Sequence, residues 1–235
     1  MDESEILVLD SLESKHFWYQ ARKFQLTKWF ESRNAKPLEV LDLGSATGGN
    51  TLHISNFGHQ VSSLEFSDLG VAIQKLKGIP VIQGDARRLP FGDESFEIVI
   101  CLDVLEHIWE DDEVISEIHR VLRRGGNFLI SVPEDPNLWS HHDTAVNHVR
   151  RYSKNNLIHL IENSGLETTR VWSTLFLLRP LIKLVRKKST GSNLKELNFL
   201  INAFFYLVCR LEFYIPRYTG KGVTVWVEGL RPARN

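Results

Sequence analysis

Cysteine is nearly absent: the 235 residues hold two, Cys101 and Cys209, both inside apolar runs. That scarcity excludes a disulfide-rich scaffold and favours buried free thiols in a reducing compartment over a disulfide or a cysteine metal pair. Excess charge of either sign is also missing. Lys plus Arg total 28 against 29 Asp plus Glu, for a formal net charge of -1. Global charge therefore gives no argument for a nucleic-acid binder and rules out a disordered charged tail. No long apolar run survives inspection: the stretch 197–215 is broken by Asn198, Asn202, Arg210 and Glu212, a poor membrane span. The opening Met-Asp-Glu-Ser-Glu lacks the basic start of a signal peptide, so a cytoplasmic protein is expected. Internal repeats, low-complexity tracts and a clear linker are missing too, and 1–235 reads as a single domain.

What is present is an alternation of short apolar runs and helical patterns, with hydrophobic residues at 43% and charged residues at 24%, as in ordinary folded proteins. Strands are expected over 38–43, 60–66, 80–83, 96–101, 127–132, 167–173 and 223–228. Several are continuously apolar, as in strands covered on both faces. The alternation predicts an α/β fold, a mostly parallel sheet with helices on both sides. One helix is expected over 109–124, acidic at its start and basic at its end, with Gly125-Gly126 as the stop. Another is expected from the N-cap Ser153 to Asn163, with Gly165 just past it.

The two flanks differ from this middle. Residues 1–36 form an expected N-terminal helical cap, aromatic-rich from His16 to Phe30. Residues 174–219 form an expected helical insert or lid with two apolar stretches, separated by the basic cluster Arg186-Lys187-Lys188. From Pro180 to the end there are ten basic residues against three acidic, while the preceding chain has 18 basic against 26 acidic. Near-neutrality is a cancellation between these parts.

The most informative stretch is Val40-Leu41-Asp42-Leu43-Gly44-Ser45-Ala46-Thr47-Gly48-Gly49, a strand followed by small residues and then a helical pattern. It does not fit the G-x-G-x-x-G spacing that holds a pyrophosphate, and Asp42 would repel phosphate. Glu65 and Asp85 follow where the next two strands should end, at the ligand crevice of a doubly wound sheet. Glu65 is placed to accept hydrogen bonds from ribose hydroxyls and Asp85 to meet an adenine amino group. The set suits a cationic adenosyl ligand without phosphates.

These residues carry a specific resemblance. Together with Glu65-Phe66-Ser67, Gly84-Asp85-Ala86, Leu89-Pro90-Phe91, the run from Leu102-Asp103 to Glu106-His107-Ile108, and Val121 to Gly126, the chain resembles a class I S-adenosylmethionine-dependent methyltransferase of the small-molecule "type 11" kind, over roughly residues 38–173. The resemblance implies a Rossmann-like, doubly wound sheet of about seven strands with the last antiparallel. It implies S-adenosyl-L-methionine as cofactor and S-adenosyl-L-homocysteine as product. Asp42, Gly44, Ser45, Ala46 and Gly48 would surround the methionine moiety, Glu65 and Phe66 the ribose, Asp85 and Ala86 the adenine. Leu102, Asp103 and His107 would lie beneath the ligand. Ala46 departs from the family pattern, which usually has glycine there.

Methyl transfer from a sulfonium needs alignment and exclusion of water, plus a base if the acceptor is a hydroxyl. His107, His142 and His148 are the catalytic candidates, all expected in loops. His142, Arg150, Arg151 and Tyr152 are candidates for holding an acceptor, the arginines by gripping an anion. No metal is expected: His141, His142, Asp143 and His148 offer donors but not a specific spacing. The expected partner is a small molecule, anionic or lipid-linked, with a sugar or glycan precursor first. The basic insert suggests peripheral contact with the inner membrane surface through 181–215. Nucleic acid is not expected, and the chain would be a monomer or homodimer. Two rivals stand beside this reading: a non-catalytic relative that binds the cofactor or its product, and a nucleic-acid or protein methyltransferase, although the N-P-P-[YF] signature of amino-group nucleic-acid methylation is absent at the end of the fourth strand.

Overall fold

The computed structural model describes residues 3–33, 37–188, 196–215 and 220–233. Seven strands form one sheet: β1 (Glu39–Leu43), β2 (Gln60–Glu65), β3 (Val81–Gln83), β4 (Phe96–Leu102), β5 (Leu122–Pro133), β6 (Glu167–Thr174) and β7 (Thr224–Leu230). Their order is β3-β2-β1-β4-β5-β7-β6, and β7 runs antiparallel to both neighbours. Six strands lie where the sequence pattern predicts, within two residues at each end, while β5 begins five residues earlier than expected, at Leu122. Val40, Leu41 and Leu43 in β1 and Ile98 to Cys101 in β4 are all buried, which explains their unbroken apolar runs.

Nine helices flank the sheet among the described residues. α1 (Glu3–Leu12) and α2 (Phe17–Glu31) form the N-terminal cap, and α3 (Gly49–Ser55) and α4 (Asp68–Leu76) follow β1 and β2. α5 (Asp111–Val121), α6 (His141–Ala145) and α7 (Lys154–Asn163) come next, then α8 (Arg179–Lys188) and α9 (Phe199–Phe213) between β6 and β7. Ser153 caps α7 as expected, its hydroxyl accepting from the Asn156 amide.

Two expectations are corrected. The helix expected over 109–124 ends at Val121. Leu122 is extended, fully buried and paired beside Phe96, so sheet burial outweighs the helical pattern. Gly125, at φ +74°, does not stop a helix but turns the chain within the β5 region, its amide donating to Arg231. Second, His142 is not in a loop. Residues 141–145 form α6, started by a capping box in which Ser140 and Asp143 satisfy each other's backbone amides. The basic cluster Arg186-Lys187-Lys188 closes α8, and the Ser-Thr-Gly-Ser stretch that follows it lies within 189–195, outside the described residues.

The flanks pack on each other. Phe17 of α2 meets Phe205 of α9 with ring centroids 5.2 Å apart, and Phe24 meets Phe213 at 5.3 Å. Asn202 ties the same pair: its Oδ1 accepts from the Phe17 amide at 2.7 Å and its Nδ2 donates to the Lys15 carbonyl at 2.7 Å. Glu212 reaches back to accept from the amides of Leu175 and Leu177, fixing the chain that leads into α8. Cap and insert are thus held to each other.

Candidate functional site

A cavity of about 800 Å³ opens at the carboxyl ends of β1, β2, β3 and β4, beneath the cap and the insert. One end is formed by the glycine loop. Gly44 adopts φ +75°, and a Cβ there would lie 2.4 Å from Val104, so only glycine fits between loop and neighbouring segment. Ala46 sits at φ +50°, a left-handed conformation that strains any residue with a Cβ. Its amide donates to Glu65 Oε2 at 2.8 Å, while the Ser67 amide donates to Oε1 at 2.8 Å. Glu65 is thereby aimed across the loop. Burial pushes its carboxyl up, against those two bonds.

The cap closes this end. Glu13 accepts from the Thr47 hydroxyl at 2.7 Å and from Lys77 at 2.6 Å, and it lies against Gly49. Arg22 of α2 forms an ion pair with Asp103, the residue at φ +56° just after β4. Asp103 also accepts from the Ser131 hydroxyl at 3.1 Å. Asp85 is gripped by the Arg87 guanidinium through both oxygens, which lowers its pKa.

The other end is built around histidines. Asp143 organises it: Oδ1 accepts from His148 Nδ1 at 3.0 Å and from Arg151 Nε at 2.7 Å, while Oδ2 receives the Ser140 amide. Burial opposes ionisation of Asp143, but the His148 and Arg151 hydrogen bonds hold its pKa well below the carboxylate range. The Val149 amide donates to the Glu106 carbonyl at 2.7 Å, so the segment after β4 and the segment after α6 are laced together. His107 and His148 consequently meet edge to face, ring centroids 4.8 Å apart. Burial lowers both His107 and His142 to about 3; His148 adds to the first and Arg186 to the second. Both imidazoles are therefore neutral at pH 7. Arg186 reaches in from α8, only 8% exposed, with Nη1 lacking a hydrogen-bond partner.

Of the residues singled out in the sequence, Gly44, Ser45, Ala46, Glu65, Phe66, Asp85, Ala86, Leu102, Asp103 and His107 line the cavity at the glycine-loop end or floor. His142, His148 and Arg151 line the histidine end. Four others lie off the lining. Asp42 is buried behind the loop and accepts from the Thr51 hydroxyl at 2.5 Å, and Gly48 backs onto Ile79 and Gln74. Arg150 pairs with Asp111 at 2.6 Å, and the Tyr152 hydroxyl donates to the same carboxylate at 2.6 Å. Those two hold α5 to the segment before α7. Sequence reasoning gave no role to Glu13, Arg22, Glu106 or Arg186. Glu106 stands inside the quoted run from Leu102 to Ile108 and Arg22 inside the aromatic-rich stretch from His16 to Phe30, but nothing in the spacing says that they reach the cavity.

A mixed sheet of this order, with carboxylates at the ends of β2, β3 and β4 along one crevice, defines the class I methyltransferase architecture. More narrowly, residues 41–130 match the family model described as a methyltransferase domain, and the chain is similar over that stretch to proteins named S-adenosylmethionine-dependent methyltransferases. It is 27% identical over 163 residues to a protein of Mycolicibacterium smegmatis named "Probable S-adenosylmethionine-dependent methyltransferase", covering 68% of this chain and 63% of that one. It is 30% identical to a demethylmenaquinone methyltransferase of Mycobacterium bovis, over 51% of this chain and 49% of the relative. The chain thus spans from about half to under two thirds of the length of these curated relatives. Among solved structures, a SAM-dependent methyltransferase of Thermotoga maritima superposes with a TM-score of 0.63 at 18% identity, over 97% of this chain and 95% of that one. The [4+2]-cyclase SpnF also reaches 0.63 at 18% identity, over 92% and 83% of the two chains, so the structural likeness shows the fold alone.

Family and fold imply S-adenosyl-L-methionine as the cofactor, and the donor set fits it. Three carboxylates suit a ligand with a sulfonium cation, hydroxyls and amino groups, and the gap at Gly44 leaves the loop backbone free to approach.

Proposed function

We propose that this protein transfers a methyl group from S-adenosyl-L-methionine to a small anionic acceptor, a sugar or a lipid-linked glycan precursor. The bound cofactor supplies an electrophilic methyl on a good leaving group. The chain aligns the partners and excludes water. Glu65 and Asp85 hold the adenosine portion, and Gly44 to Ala46 and Asp103 hold the amino-acid portion. α1, α2 and α8 act as the lid. The observation that carries the acceptor class is Arg186, a buried guanidinium with an unmatched donor on the cavity wall. Around it Leu178, Leu181, Ile182 and Val185 give the wall an apolar surface suited to a lipid portion.

The exposed face of α9 supports membrane proximity: Phe199, Leu200, Phe204 and Leu207 are largely solvent-facing, with Arg210 on the same helix. Among the described residues, no helix is long and apolar enough to cross a membrane. Relatives named demethylmenaquinone methyltransferases favour a small-molecule acceptor.

The test uses methyl-labelled cofactor with panels of anionic sugars and lipid-linked glycans. Transfer to one of these, with Arg186→Gln raising the acceptor KM about tenfold and leaving S-adenosyl-L-homocysteine affinity unchanged, is expected. Transfer only to neutral or cationic acceptors, indifferent to Arg186→Gln, would refute the acceptor class.

A further inference from the structure

Glu106 stands out in the cavity wall. It is fully buried, and neither carboxylate oxygen has a hydrogen-bond partner. Burying an unpaired carboxylate is costly, so such a group calls for a compensating ligand. Burial pushes its pKa well above the ordinary range, and the charge of Asp103 pushes it further. The neighbouring cations are committed elsewhere: Arg22 to Asp103, and Arg151 to Asp143 and the Glu134 carbonyl.

Two imidazoles lie close to it. The ligand atoms of Glu106, His107 and His148 all lie within 4.8 Å of one another, and His148 Nε2 is 3.8 Å from Glu106 Oε1. Each ring is anchored through its other nitrogen. His107 Nδ1 faces the Asn147 carbonyl at 3.3 Å and His148 Nδ1 faces the Asp143 carboxylate at 3.0 Å. Both partners can only accept, so each Nδ1 carries the proton and each Nε2 presents a lone pair. Metal-ligating histidines are held in this way, the far nitrogen donating to a carboxylate or a carbonyl.

We infer that Glu106, His107 and His148 bind one divalent transition-metal cation, zinc-like in its preference, at the histidine end of the cavity. Two imidazoles and one carboxylate are a catalytic zinc set, with a further coordination position left open. That position faces the cavity, which all three residues line. Zinc bonds near 2.0–2.1 Å set ligand atoms about 3.3 Å apart, so side-chain rotations of about 1 Å close the site. Under the methyl-transfer reading, on which this last step rests, an acceptor hydroxyl in the open position would be acidified and oriented. This set differs from the His141, His142, Asp143 and His148 grouping weighed from sequence. Asp143 supports His148 instead of binding the ion, and Glu106 takes the place of the carboxylate ligand.

The test is metal binding by tag-free, chelator-stripped protein. After dialysis against zinc, manganese or cobalt and removal of free metal, elemental analysis should find about one zinc or cobalt per chain. Bound cobalt should show visible ligand-field bands, and zinc should raise the thermal midpoint. Glu106→Gln and His148→Gln should each weaken zinc at least tenfold, while His159→Ala, on the exposed face of α7, should keep it. Zinc and cobalt binding no better than background in the wild type would overturn the inference. So would stoichiometric binding untouched by Glu106→Gln and His148→Gln. If those variants do not fold, the wild-type cobalt spectrum decides: absence of ligand-field bands rejects the site. S-adenosyl-L-homocysteine calorimetry on the same samples separates the two readings. Cofactor-product binding without metal overturns this inference alone, and metal without cofactor-product binding supports it while overturning the methyl-transfer reading.

Discussion

The two ends of the cavity are made by different means. The glycine-loop end is assembled from strand ends in register: β1 delivers the loop, and β2, β3 and β4 deliver Glu65, Asp85 and Asp103 within a few residues of their last paired positions. The histidine end is assembled from connections. A turn after β4, a five-residue helix and a helix of the insert converge there, held by Asp143 and by the Val149–Glu106 backbone bond. A sheet fixes side-chain positions through its ladder, whereas connections must be fixed by individual buried polar contacts. Under the proposed function, cofactor binding belongs to the first end and acceptor choice to the second.

Glu65→Ala is the largest expected break in this division. Losing charge-assisted bonds worth about 1.5–3 kcal/mol should weaken S-adenosyl-L-homocysteine binding roughly 10- to 100-fold by calorimetry. The same change should leave metal content untouched. A Glu65→Ala protein that binds the product normally would dissolve the assignment of that end.

Asp42 gives an effect of similar size on stability. Burial raises its carboxyl to about 6 from an ordinary value near 3.8. A carboxyl raised on folding takes up protons more readily in the native state, so its penalty is absent below the unfolded value. The penalty grows between pH 4 and pH 6 and is then constant. Asp42→Asn removes it. Compared with wild type, the ligand-free variant should gain about 2–3 kcal/mol of unfolding free energy on going from pH 4 to pH 7, superimposed on a constant offset from the Thr51 bond. Denaturant titrations at the two pH values measure the difference, and parallel curves would contradict it.

Ala46→Gly is the smallest. Relief of the left-handed backbone is worth about 1 kcal/mol, opposed by the greater entropy of glycine in the unfolded chain. The variant should be neutral to about 1 kcal/mol more stable in denaturant titration, with product affinity equal or better. A clear loss would mean that the alanine methyl makes a contact the loop needs.

Legibility followed the same division. The strands, the glycine loop, Glu65 and Asp85 could be read because apolar runs and small residues repeat in an order set by local backbone geometry. The end of α5 could not, since the helical pattern runs through Leu122 and only pairing with Phe96 turns that residue into sheet. Arg150 and Tyr152 looked like acceptor ligands, and Asp111 draws both away from the cavity. Arg186 reads in the sequence as one of a basic cluster between two apolar stretches, and in the folded chain it is buried on the cavity wall. Glu106 was visible as a letter beside His107, but its isolation from every hydrogen-bond donor is a property of the packed interior.

The sequence by itself determined the sheet, the turn glycine and the acids that follow strands, because periodicity and φ preferences act over a few neighbouring residues. Only the tertiary structure decided which polar groups face one another across about 40 residues, as Glu106 and His148 do. That outcome depends on how the connections pack over the sheet and on which buried charges find partners there.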